Sequence, residues 1–162
     1  VVASIFSGAF TAGALPAIAA VDQGSDVFVM RIGAAGKVLW AKTFGGGGDD
    51  VVRAIAVDKD ANVFLTGDIH GPNLSFGGDV LVNADSIGMG TRDVFLAWLD
   101  GSEKYVASSA FGSTGDESPV GIGVDGSGSI LVTGSFDEAI DFGAGKIRGS
   151  GAMNMFVARL AR

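Results

Sequence analysis

A repeat of 67 residues constrains this chain more than any other feature of its sequence. DVFVMRI (26–32) returns as DVFLAWL (93–99), FGGGGDD (44–50) as FGSTGDE (111–117), and IAVDKDANVFLTG (55–67) as IGVDGSGSILVTG (122–134). Thirteen of the forty-two residues from 26 to 67 are identical to those 67 positions later, where chance in a glycine-rich chain gives about four. No gap interrupts that window. A unit of this size buries its faces against its neighbours, not alone. Outside the window, SFGGD (75–79) is answered by DFGAG (141–145), and MFVARL (155–160) restarts the first strand. At the N-terminus, SIFSGAF (4–10) aligns with VFLTGDI (63–69), setting Gly8 on Gly67 and Gly134. The opening run VVASIFSGAFTAGALPAIAA has no basic residue before it and is broken by Gly8, Gly13 and Pro16. It therefore reads as the end of a degenerate repeat and not as a secretion signal.

Within one copy the local signals are all β. DVFVMRI alternates, with Phe28, Met30 and Ile32 on one face and Val27, Val29 and Arg31 on the other. GAAG turns the chain into KVLWAKTF (37–44), a glycine–acid loop leads to VVRAIAVD (51–58), and KDA turns it into NVFLTGDI (62–69). The expected fold class is all-β. The expected architecture is that of β-propeller blades, four-stranded antiparallel meanders stacked about an axis. Residues 26–67 and 93–134 are read as matching meanders with Phe28, Phe95 and Phe156 buried at equivalent places. Ile55, Ile122, Val57 and Val124 are expected beneath them. The whole of 1–162 is then part of one propeller domain: 1–25 ends a degenerate blade, 26–92 and 93–154 are blades, and 155–162 opens the next.

The combination of D-x-x-x-N-V-F-L-T-G (58–67), D-x-x-x-S-I-L-V-T-G (125–134), GKVLWAKTFGG (36–46) and DVFVMRI resembles the bacterial seven-bladed β-propeller repeat family. That resemblance implies an extracellular or cell-surface protein whose repeats accompany other surface modules. The copies depart from the family's usual D-x-x-G-N turn, with Ala61 before Asn62 and Gly128 before Ser129. A ring takes typically four to eight blades, and this sequence holds only two full copies. An incomplete ring is expected, with further blades of the same polypeptide, or other copies of the chain, as its first partners.

The chemistry-bearing residues are few. Asp49 and Asp50 recur as Asp116 and Glu117 after a glycine-rich loop, so rotation of the repeat would set the four on one acidic rim. Converging carboxylates can hold Ca²⁺, while a Gly-Asp step is equally ordinary turn chemistry. Asp58, Asp60 and Asn62 have the spacing of a calcium loop but lack the closing Glu, and a hairpin turn is the better reading. His70 is the sole histidine and cysteine is absent, which leaves no zinc set and no thiol nucleophile. No cofactor is expected, and Ca²⁺ is the ion these carboxylates could take.

The net charge of −7 and pI near 4.4 argue against nucleic-acid partners and anionic membranes, and no apolar run is long enough to span a bilayer. The expected function is a non-enzymatic propeller module, a scaffold or binding platform for a protein or glycan ligand. A lectin-like propeller is one alternative. A quinone-cofactor propeller is another, suggested by AAGKVLWAKTF but opposed by the replacement of Trp40 with Ala107 in the next copy.

Overall fold

The computed structural model describes residues 1–21, 24–85 and 90–161, and every regular element in them is a β-strand. The first sheet joins β1 (Val2–Phe6), β4 (Asp26–Ile32) and β5 (Val38–Phe44) in the order β1-β4-β5. Between β1 and β4 lies a small hairpin, β2 (Ala9–Phe10) and β3 (Ile18–Ala19). The second sheet is a four-stranded antiparallel meander of β6 (Asp50–Val57), β7 (Val63–Ile69), β10 (Asp93–Leu99) and β11 (Tyr105–Phe111). Its long connection carries the hairpin β8 (Asn73–Leu74) and β9 (Leu81–Val82). The third sheet is β12 (Glu117–Val124), β13 (Ile130–Phe136) and β16 (Asn154–Leu160), with β14 (Ala139–Ile140) and β15 (Ile147–Arg148) as its hairpin. Among the described residues, no closed barrel forms.

The strands fall where the alternating pattern puts them, but the expected phase of the meander is wrong. β5 does not pair with β6; the glycine loop after Phe44 carries the chain from one sheet to the next. The pairing unit is therefore 50–111, not 26–67. The crossing runs against the backbone of 71–73. A Cβ on Gly46 would collide with the Asn73 carbonyl, and one on Gly48, at φ +98°, would lie 2.8 Å from Gly71 Cα. Register corrects the N-terminus as well. Phe95 pairs with Gly67 and Phe156 with Gly134, whereas Phe28 pairs with Ser4. Ser4, not Gly8, holds the glycine's place; Gly8 lies beyond the strand at φ +77°.

The three sheets stack face on face, β6 against β1 and β4, and β12 against β6 and β7. The middle sheet is thus buried on both sides. Val63, Leu65, Phe95, Ala97 and Leu99 join Val27 and Val29 of the first sheet in one core. Phe64, Val94 and Leu96 join Ile130, Val132 and Phe156 of the third in another. Two equivalent phenylalanine chains cross the cores. Phe44, Phe76 and Phe95 follow one another at 5.1 Å between centroids, and Phe111, Phe142 and Phe156 at 5.0 Å. In each the middle ring comes from the connection ahead of β10 or β16. The first sheet substitutes Phe10 on Phe28 at 4.7 Å and Phe6 on Phe10 at 5.0 Å. Gly67 and Gly134 make room for the terminal rings, since a Cβ on either would stand 2.7 Å from Phe95 or Phe156.

Phe28, Phe95 and Phe156 are all buried, and Ile55, Ile122 and Val124 pack against the cores. Val57 is the exception at 46% exposed, because the first sheet has no strand in the place of β6 to cover it.

One hairpin turn occurs four times among the described residues. The N–H groups of Gly36, Ala61, Glu103 and Gly128 donate to the carbonyls of Gly33, Asp58, Asp100 and Asp125. All four donors have positive φ, at 75°, 63°, 67° and 87°. Asp58, Asp100 and Asp125 each accept through Oδ1 from the N–H groups two and four residues on. An L-residue with a side chain is strained at this φ, so Ala61→Gly and Glu103→Gly should each stabilise the chain by about 0.5–1 kcal/mol. Gly128→Ala should destabilise it by a similar amount. Phe76→Ala and Phe95→Ala should each cost about 3–5 kcal/mol in denaturant unfolding; a loss below about 1 kcal/mol would remove the aromatic chain from the core.

Candidate functional site

The repeated acidic residues mark the two places where the chain passes between sheets, and the structure divides them. Asp49 and Asp116 stay at the surface. The Asp49 carboxylate accepts from the Ser25 N–H at 2.8 Å, and Asp116 accepts from the Arg92 N–H at 3.1 Å and from its Nε at 3.2 Å. Ser25 and Arg92 are themselves 67 residues apart. Each contact holds its carboxyl below the usual carboxylate range: the Ser25 N–H acts on Asp49, and the Arg92 guanidinium on Asp116.

Asp50 and Glu117 are fully buried, which corrects the expectation of one acidic rim. The backbone pulls them in. Asp50 N–H donates to the Ser25 carbonyl at 2.7 Å and Glu117 N–H to the Arg92 carbonyl at 2.8 Å. The carbonyls of Asp49 and Asp116 in turn accept from the N–H groups of His70 and Asp137. The same hydrogen bonds thus tie each acidic pair to two loops at both crossings.

A second buried carboxylate, Asp93, lies beside Glu117, and the sequence reading passed over it and its counterpart Asp26. Asp26 and Asp93 are 0% and 1% exposed. Their carboxylates rest on Gly45 and Gly112, where any side chain would collide with them. Asp26 accepts from the Val21 N–H, and Asp93 from the Ala84 N–H at 2.7 Å. Asp93 and Glu117 lie close enough to act on one another electrostatically. Glu117 also accepts from Ser113 through both oxygens, from the N–H and the hydroxyl, each at 2.9 Å. Burial, with Asp93 and Asp116 adding repulsion, pushes the Glu117 carboxyl up to about 7. Burial raises Asp93 too. The recurrence of Asp26 as Asp93 and of Gly45 as Gly112 was the available signal.

Among the described residues, no three His, Cys, Asp or Glu side chains are gathered as a metal ion would need. Asp58, Asp60 and Asn62 form the hairpin turn described above, the Asn62 amide donating to Asp58 Oδ2 at 2.7 Å. This turn and the next copy's (Asp125–Gly128) line an open groove of about 390 Å³. His70 lies 3.8 Å from the buried Asp68, which also accepts from Arg53 Nε at 2.7 Å and from the Ser118 hydroxyl at 2.9 Å. Trp98 stacks one face on Phe64 at 5.5 Å, and Trp40 packs on the first core.

No family model matches the chain, and no curated protein does. Among the described residues, no helix is long and apolar enough to cross a membrane.

The buried carboxyl makes stability depend on pH with a defined sign. Glu117 titrates near 4.5 when free and near 7 in the folded chain. Its contribution is therefore fully present below about pH 4.5 and is lost as pH rises through about 7. Glu117→Gln keeps an acceptor for Ser113 and removes the ionisable group beside Asp93. It should raise the thermal midpoint at pH 7.5 by several degrees and leave the midpoint near pH 4.5 almost unchanged. Equal pH profiles for the two proteins would show that Glu117 does not titrate in this window.

Proposed function

We propose that the chain is a non-enzymatic repeat module, a run of β-propeller blades acting as an extracellular or cell-surface scaffold and binding platform. One observation carries this reading: the recurring polar residues serve to join one sheet to the next. The carboxylates of Asp49, Asp116 and Glu117 accept from Ser25, Arg92 and Ser113, and the buried Asp50 donates its N–H to the Ser25 carbonyl. Sheets equivalent by the 67-residue repeat stack in chain order through equivalent phenylalanine contacts, as radial blades require. The surface setting is supported by the sequence resemblance alone. Ca²⁺ on the acidic residues is no part of the proposal.

Blades in a stack have outer faces that seek further blades. Met155 and Val157 on the third sheet are 89% and 75% exposed, although the matching Val94 and Leu96 are buried between sheets. Wet apolar faces favour association. In light scattering and negative-stain microscopy, the 162-residue chain should form discrete ring-like oligomers or associate with rising concentration. A well-dispersed monomer at high concentration would overturn the reading.

A further inference from the structure

The two junctions between sheets share their aromatic contacts but differ in a polar one. The series Phe44–Phe76–Phe95 and Phe111–Phe142–Phe156 keep the same spacing, 5.1 and 5.0 Å. By this packing alone a sheet would fit either junction. The second junction adds a further contact. Asp68 on β7 is 0% exposed, and its Oδ1 accepts from the Ser118 hydroxyl of β12 at 2.9 Å. Its Oδ2 accepts from Arg53 Nε at 2.7 Å, and Arg53 Nη2 pairs with the same oxygen. Arg53 is the extra residue of a bulge in β6, between Val52 and Ala54. A bulge re-aims the side chain that it leaves out of the ladder.

None of these three residues is repeated. Sixty-seven positions on, Arg53 and Asp68 become Val120 and Ser135; sixty-seven positions back, Ser118 is Val51. β12 keeps the bulge, at Val120, without the arginine. In the first sheet Ile5 holds the place of Asp68, pairing with Val27 as Asp68 pairs with Val94. The places of Asp68 and Ser118 are thus taken at the first junction by Ile5 and Val51. We infer that Asp68, held by Arg53, is a recognition key: it accepts on the second sheet a neighbour whose leading strand offers a hydroxyl at the place of Ser118, and it fixes an order of sheets that aromatic packing leaves open. The inference goes beyond the scaffold reading and needs only the stacking of the described sheets. A neighbour with valine at that place would leave one oxygen of a buried carboxylate without its donor. Arg53 makes the buried charge tolerable in the right stack, and the missing hydroxyl makes it costly in the wrong one. Selection therefore comes from a penalty on the wrong neighbour. Similar units in one chain need such a device, because misassembly is the characteristic failure of repeat proteins.

The test is a double-mutant cycle in denaturant unfolding of the 162-residue chain at one low concentration, with hydrogen exchange over β12 and β13 to locate the effect. With Asp68 present, Ser118→Val and Ser118→Ala should each lower the folded-to-unfolded ratio about tenfold. Ser118→Thr keeps the hydroxyl and should restore most of that loss. In the Asp68→Ile chain, where the 40% exposed Arg53 side chain can turn to water, Ser118→Val should cost nothing. The two sites are then coupled about tenfold. If Asp68→Ile does not fold, Asp68→Ser, the residue of the next copy, replaces it in the cycle with the same expected direction. Equal penalties in the two backgrounds, no penalty for Ser118→Ala, or protection lost from the first sheet instead of β12 and β13 would each overturn the inference. An additive cycle in a chain that still associates in light scattering would overturn the key and leave the scaffold reading standing.

Discussion

The stack depends on rings that bridge sheets which no strand ladder joins. Neighbouring sheets have no common strand, so side chains must fix their spacing. Phe76 and Phe142 do this from connecting segments, each lying between a ring of the sheet before it and a ring of the sheet it precedes. Gly67 and Gly134 are the matching voids. Ring and void are a single packing solution used twice, and the first sheet approximates it with Phe6, Phe10 and Phe28.

Polar chemistry at the crossings serves the same end. A buried carboxylate is costly unless its oxygens find donors. Glu117 finds them in Ser113 and Asp93 finds one in Ala84, and these partners lie on separate connections. The groups that look reactive in the sequence are thus occupied with joining segments distant along the chain. Asp68 works in the same way, taking Arg53 from its own sheet and Ser118 from the next.

Local features of this fold were legible in the sequence, and non-local ones were not. Strand positions follow from two-residue alternation, and the tight turns follow from Asp and Gly spacing; both act over a few residues. Which strand pairs with which depends on contacts the alternation does not encode, so the glycine loop at 45–49 passes for a hairpin when it is a crossing between sheets. The placement of Gly8 failed for a related reason: identity of residue type outweighed register, while the backbone aligned Ser4 with Phe28. For the acidic residues, recurrence was legible but depth was not. Asp49 and Asp50 are adjacent in sequence, yet one faces water and the other the interior, because Asp49 ends the surface loop and Asp50 opens β6.

The connections that carry the bridging rings also absorb the variation in repeat length. The segment between β7 and β10 is longer than that between β13 and β16, yet the paired residues match across both, Phe95 on Gly67 and Phe156 on Gly134. Residues added or removed beyond the ring therefore leave the sheets where they are. The tips at Gly77–Asp79 and Gly143–Gly145 are natural points for inserting foreign sequence, such as an epitope or a small domain. The array becomes a row of evenly spaced display positions whose cargo can change without disturbing the stack.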